Sequence, residues 1–198
     1  MTRGHLAAAS LSLSLALAHL ASAAAADPYG EPPPEREGFL FGLGLGPAIF
    51  VGGGGEVEDV QGIGGDLNLR VGTSAGERLL WLVELQSGGY LIELETSAQT
   101  DTVYNALSTL AVSAQLYIEN ALWLRGGAGL AAFVEQEGRG GTEVEGSRRG
   151  GLGLTAGGGY DLFRRGSFAL SVEAAVAAGV FSSGVIARSG LLLGLTWY

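Results

Sequence analysis

Carboxylates and guanidiniums are the reactive inventory of this chain. Asp66, Glu84, Asp161 and Glu173, with Arg70, Arg125 and Arg188, stand beside amides such as Asn68 and Gln86 in segments otherwise built from Leu, Val, Ala and Gly. Such groups can transfer protons, hold a cation or an anion, or neutralise one another. A glycosidase would need two acids facing across a cleft, and nothing in the spacing selects such a pair. The acids Glu56, Glu58, Asp59, Glu93, Glu95, Glu135, Glu137, Glu143 and Glu145 cluster between the apolar segments, in no calcium-loop spacing. Arg139, Arg148 and Arg149 flank one of these clusters and could bond phosphate oxygens.

Missing residue types exclude more. There is no Cys, every cationic side chain is Arg rather than Lys, and the two His, His5 and His19, lie near the start. Without His in the remainder, a Ser-His-Asp relay has no base and zinc has no imidazole or thiolate ligand. Gly42-Leu43-Gly44-Leu45-Gly46 lacks the spacing and the following helix of a dinucleotide loop, and a phosphate loop needs Lys. A net charge of −9 excludes a nucleic-acid partner. We therefore expect no catalytic residues, no metal and no cofactor.

The elements that must carry these groups show a period of two. Leu67, Leu69 and Val71 alternate with Asp66, Asn68 and Arg70; Leu79, Trp81, Val83 and Leu85 with Glu84 and Gln86. Leu122, Leu124, Leu130 and Val134 oppose Arg125, and Phe168, Leu170, Val172, Val176 and Val180 oppose Ser171 and Glu173. Alternate residues of a strand face opposite ways, so each segment has one oily and one polar face.

Residues 1–26 carry Arg3 and then an uncharged Ala/Leu/Ser run ending in Ala-x-Ala triplets, as in a cleaved signal peptide. Residues 27–37 hold Pro28, Pro32, Pro33 and Pro34 and read as an extended linker. One further proline, Pro47, follows, and this scarcity suits a sheet without edges. Strands are expected at 38–51, 61–73, 78–88, 102–118, 121–135, 149–163, 167–181 and 185–198. Long connections at 52–60, 89–101 and 136–148 alternate with short ones, apart from a short one at 182–184. The expected fold is all-β: an eight-stranded antiparallel up-and-down transmembrane barrel over 38–198.

The membrane expectation rests on the direction of the faces. The polar face is small, with Gly42, Gly44, Gly46, Gly127, Gly129, Gly151, Gly153, Gly157 and Gly159, and has too few charges to solvate an exterior. Bulky Leu, Val, Ile and Phe on the other face would meet lipid. Asp66, Asn68, Arg70, Glu84, Gln86, Arg125, Asp161, Glu173 and Arg188 would then form a polar network plugging the lumen. Trp81, Tyr117, Trp123, Tyr160, Phe168, Trp197 and Tyr198 lie near turns or ends and would form an aromatic girdle.

This pattern resembles the small outer-membrane barrels of Gram-negative bacteria: the outer-membrane protein A transmembrane-domain, protein X and protein W types. The resemblance covers 38–198 and is one of pattern, without a specific motif. It implies residence in the outer membrane among its lipids and lipopolysaccharide, and recognition of the last strand by the barrel-assembly machinery. There Leu191, Leu193, Leu195 and Trp197 form the apolar set, which leaves Tyr198 out of phase and turns Arg188 inward. A structural or surface-interaction role follows, with a small-solute channel or a soluble lipocalin-like barrel as alternatives.

Overall fold

The computed structural model describes residues 38–55, 60–96, 99–139 and 142–198, with side chains for all of these except 93–101 and 137–145. The expected signal segment and linker lie outside the described residues, as do Glu56, Glu58 and Asp59 and the side chains of Glu93, Glu95, Glu137, Arg139, Glu143 and Glu145.

Eight strands follow one another: β1 (Phe39–Gly53), β2 (Gln61–Ser74), β3 (Leu79–Thr96), β4 (Gln99–Tyr117), β5 (Leu122–Arg139), β6 (Thr142–Arg165), β7 (Phe168–Phe181) and β8 (Gly184–Trp197). Each pairs antiparallel with its sequence neighbours, and β1 pairs with β8, so the sheet closes into a barrel.

The register fixes the barrel's shape. Across the ladders, Phe41 leads to Val71, Val83, Val112, Ala128, Leu154, Ala178 and Ala187, and back to β1 at Val51, ten residues beyond the start. That offset, at about 3.3 Å per residue around strands about 4.8 Å apart, tilts the strands by about 40° and gives a backbone radius of about 8 Å. So narrow a cylinder needs glycine on its inner wall. At Gly46, Gly64, Gly72 and Gly129 a carbonyl of the next strand occupies the space a Cβ would need. The short β6–β7 turn also needs glycine, because Gly166 sits at φ +56°.

Two sequence expectations require correction. The connections expected at 89–101 and 136–148 are mostly strand. β3 and β4 stay paired out to Thr96↔Gln99, and β5 and β6 out to Arg139↔Thr142. β3 to β6 have 18, 19, 18 and 24 residues, against 14 or 15 in the other four. Alternation fades there because polar residues follow one another without a period, as in Glu135-Gln136-Glu137-Gly138-Arg139, while the backbone ladder needs no side-chain pattern. Nor is proline kept out of the closed sheet. Pro47 lies inside β1, paired with Gly65 of β2, and the β1–β8 ladder is interrupted at that point.

Candidate functional site

Among the described residues the charged chemistry converges in the lumen. Strand parity decides which side chains enter it. Asp66, Asn68, Arg70, Glu84, Gln86, Arg125, Asp161, Glu173 and Arg188 are all buried inside the barrel, while Leu45, Ile63, Val112, Leu130, Leu152, Leu154 and Leu193 on the opposite parity are each more than half exposed.

Two carboxylates organise the middle. Glu84 on β3 pairs with Arg125 Nε on β5 at 3.0 Å. It also accepts hydrogen bonds from Ser113 Oγ at 2.6 Å, Thr155 Oγ1, Gln86 Nε2 at 3.4 Å and Asn68 Nδ2 at 3.5 Å. Glu173 on β7 takes both ends of the Arg70 guanidinium, with Nη1 donating to Oε2 at 2.6 Å and Nη2 bonded to Oε1. Ser171 Oγ donates to Glu173 at 2.8 Å, and Arg125 Nη2 stands 3.6 Å from the same carboxylate. Arg125 thus bridges the two acids, and six strands, β2 to β7, are tied together across the barrel. A second pair, Arg188 Nη2 and Asp66 Oδ1 at 3.3 Å, lies nearer the Gly53 end of β1, where Arg188 Nη1 donates to the Leu107 carbonyl at 2.7 Å.

Glycine makes room for these groups. A Cβ at Gly42 would run into the Arg70 side chain, one at Gly194 into Glu173 and Ser171, and one at Gly88 would come within 2.9 Å of Arg188 Nη1. Arg70, Glu173 and Arg188 each fill the hollow that a glycine leaves on another strand.

Apolar clusters close the lumen above and below the charges, and sequence reasoning missed both. Leu40, Leu80, Leu82, Tyr117 and Trp123 pack together at the end where β1 begins, with Tyr198 against them. Ala48, Phe50, Tyr90, Leu107, Ala131, Phe133, Phe181 and Ile186 pack at the other. Phe50 and Tyr90 have ring centroids 5.0 Å apart. The available signal was apolar residues at both parities, as in Leu79-Leu80-Trp81-Leu82-Val83, which gives a strand two oily faces.

The expected girdle is corrected in part. Tyr117 and Trp123 point inward and are 2 % and 1 % exposed. They share parity with Gln115 and Arg125, and parity overrides closeness to a turn. Trp123 Nε1 donates to Asp161 Oδ1 at 3.2 Å, and the Arg125 guanidinium lies 5.1 Å from its ring. Tyr198 also belongs to the interior, its hydroxyl 2.8 Å from that of Tyr117. Trp81 and Trp197 are on the outside, 50 % and 40 % exposed. The Phe168 ring lies 5.5 Å from that of Trp197, tilted 59° to it, and Tyr160 is half-buried on the outward parity of β6.

Among the described residues no His, Cys, Asp and Glu gather in a group able to hold a metal. The two central acids, Glu84 and Glu173, are occupied by arginines and hydroxyls and lie between the two apolar clusters.

Solved structures with the same architecture exist. Ail, the attachment invasion locus protein of Yersinia pestis, matches with a TM-score of 0.58 at 12 % identity over 80 % of this chain and 99 % of that one; it was solved with the heparin analogue sucrose octasulfate. This chain has the fold of the small eight-stranded outer-membrane barrels. Neisserial surface protein A (TM-score 0.51, 13 % identity, 80 % of this chain and 96 % of that one) has it too. So does the outer membrane protein OprG of Pseudomonas aeruginosa (0.51, 10 %, 83 % and 97 %). No protein-family model matches the sequence, and no curated protein matches it.

Proposed function

We propose that this chain is a non-enzymatic integral barrel of a Gram-negative outer membrane, exported by its N-terminal signal segment, with a closed lumen and a surface-interaction role. The observation that carries the reading is the inverted polarity of the barrel. Leucines and valines cover the outside of all eight strands while ion pairs occupy the axis. A continuous exterior of this kind in water would be an aggregation surface far larger than the few hundred Å² that soluble monomers expose. In lipid it is the expected band, crossed by tilted strands of roughly 9–11 residues. The same inversion argues against a soluble lipocalin-like barrel.

Strands of 18 to 24 residues are much longer than a membrane crossing requires, so β3 to β6 carry a paired four-stranded sheet beyond the band. Among the described residues its outer edges carry no ladder: β2 stops pairing with β3 at Gly65↔Gly89, and β6 meets β7 only from Leu152↔Val180. Unpaired edges offer main-chain donors and acceptors to another chain, and this sheet is the surface-interaction element. Arg148 and Arg149 stand at its base, suited to lipopolysaccharide phosphates, whereas the acidic segments and the net charge of −9 disfavour a polyanion such as the sulfated sugar bound by Ail. Outward Leu191, Leu193, Leu195 and Trp197 make β8 the segment that the assembly machinery would read.

The test is fractionation followed by an unboiled denaturing gel. The proposal expects the protein in carbonate-washed outer membranes, with migration that shifts on boiling, and no unitary conductance in planar bilayers. Recovery in the soluble periplasm defeats it, and steady conductance favours the channel alternative.

A further inference from the structure

We propose that the β1–β8 seam opens locally at Pro47, and that water reaches the Asp66–Arg188 pair through it. The inference goes beyond membrane residence and holds in any apolar surround, a detergent micelle included.

The first observation is in the ladder. β1 and β8 pair at Leu45↔Leu193 and at Ala48↔Gly190, but the two positions between, Gly46 and Pro47 opposite Leu192 and Leu191, are unpaired. On its other side β1 pairs with β2 without a break through Pro47↔Gly65. The missing donor is therefore the one Pro47 would have given to β8, because proline has no N–H. The β2–β3 ladder, by contrast, runs without a gap from Gly65↔Gly89 to Ser74↔Leu80, and the β7–β8 ladder from Phe168↔Trp197 to Phe181↔Gly184. In an apolar surround a main-chain carbonyl without its partner is costly, and the lowest-cost donor is water.

The second observation is how little side chain β1 contributes behind the gap. Between Leu40 and Phe50 the inward residues of β1 are Gly42, Gly44, Gly46 and Ala48, and β8 faces them with Gly190, Leu192 and Gly194. Leu192 is the one large inward side chain of either strand at the gap, and β1 offers it only Gly44 and Gly46 to lie against. Main-chain hydrogen bonds and this single side chain hold the two strands here, and one of the bonds is absent.

The third observation is what lies inside. The Asp66 carboxylate is 3.2 Å from where a Gly190 Cβ would be, so it sits directly against the seam. Its Oδ1 receives no hydrogen bond although Arg188 Nη2 is 3.3 Å away, and Arg188 Nε and Asn68 Oδ1 also lack partners. Acceptors and a donor left unmet in one place, next to a glycine floor, are the setting in which buried water is held. The Glu173 carboxylate, deeper in the lumen, has no such vacancy.

The experiment is amide hydrogen exchange, by NMR on the full chain refolded in detergent micelles, for wild type and Pro47→Ala. The Pro47 ring is on the outside, so alanine restores the N–H without touching the lumen. Amides of Gly190 to Leu193 are expected to exchange at least tenfold faster than those of Ala128 to Leu130, in the part of the β5–β6 ladder that runs without a gap from Leu122↔Tyr160 to Glu137↔Glu145. Pro47→Ala is expected to slow them to the control rate. A second variant, Leu45→Cys with Leu193→Cys, should give the same protection when the outward pair is oxidised and lose it on reduction. Equal exchange at the two seams in wild type, or rates unchanged by both variants, would overturn the proposal.

Discussion

Replacing Glu173 by Gln should be among the most damaging isosteric changes available to this chain. Glu173 has no exposed surface and holds both terminal nitrogens of Arg70. With the charge gone, Arg70 keeps one neutral amide oxygen in place of the carboxylate, Thr196 Oγ1 at 3.2 Å and the Trp123 ring at 5.8 Å, while Arg125 still has Glu84. One buried guanidinium is then uncompensated, and breaking a buried pair from one side costs about 3–5 kcal/mol. The converse variant, Arg70→Met, leaves Glu173 with Ser171 and Arg125 and should cost less. The double change, Arg70→Met with Glu173→Met, removes both charges, and such replacements are often close to neutral. It should therefore be more stable than Glu173→Gln alone. Urea unfolding in micelles, followed by tryptophan fluorescence and by the fraction of heat-shifted band, measures all three. If Glu173→Gln stays within about 0.5 kcal/mol of wild type, or the double variant is the least stable, the network is not the neutralised cluster described above.

Two further perturbations separate the inner wall from the outer. Gly194→Ala should destabilise by about 1–3 kcal/mol, the cost of overpacking, because its methyl meets the Glu173 carboxylate; Gly126→Ala, outward and with only a carbonyl 4.0 Å away, should be neutral in the same unfolding assay. Leu154→Arg, 52 % exposed in the apolar band, should cost about 2–4 kcal/mol in lipid vesicles; a cost near zero would place that face in water.

Much of this architecture is legible in the sequence because a strand encodes its two faces separately. Asp66-Leu67-Asn68-Leu69-Arg70 states its parity without ambiguity, and the glycine-rich inner face announces a narrow interior. Legibility fails where parity carries no contrast. Leu80 and Leu82 continue an oily run on both faces, so the two apolar closures of the lumen pass for exterior. Tyr117 and Trp123 are amphipathic and suit an interface as well as a lumen; only their parity with Gln115 and Arg125 separates the two. The length of β3 to β6 is set by main-chain pairing beyond the band, to which side-chain periodicity is blind. Pairing partners across the barrel, such as Arg70 with Glu173, 103 positions away, depend on the ten-residue closing offset, which no local pattern records.

The most direct measurement uses the three tryptophans, which the fold divides between its two sides. Single-tryptophan variants in vesicles of brominated lipid should show Trp81 and Trp197 strongly quenched and Trp123, buried beside Arg125, almost untouched. Quenching of Trp123 to the level of the other two, or an absence of quenching at Trp81 and Trp197, contradicts a barrel with its oily face in lipid.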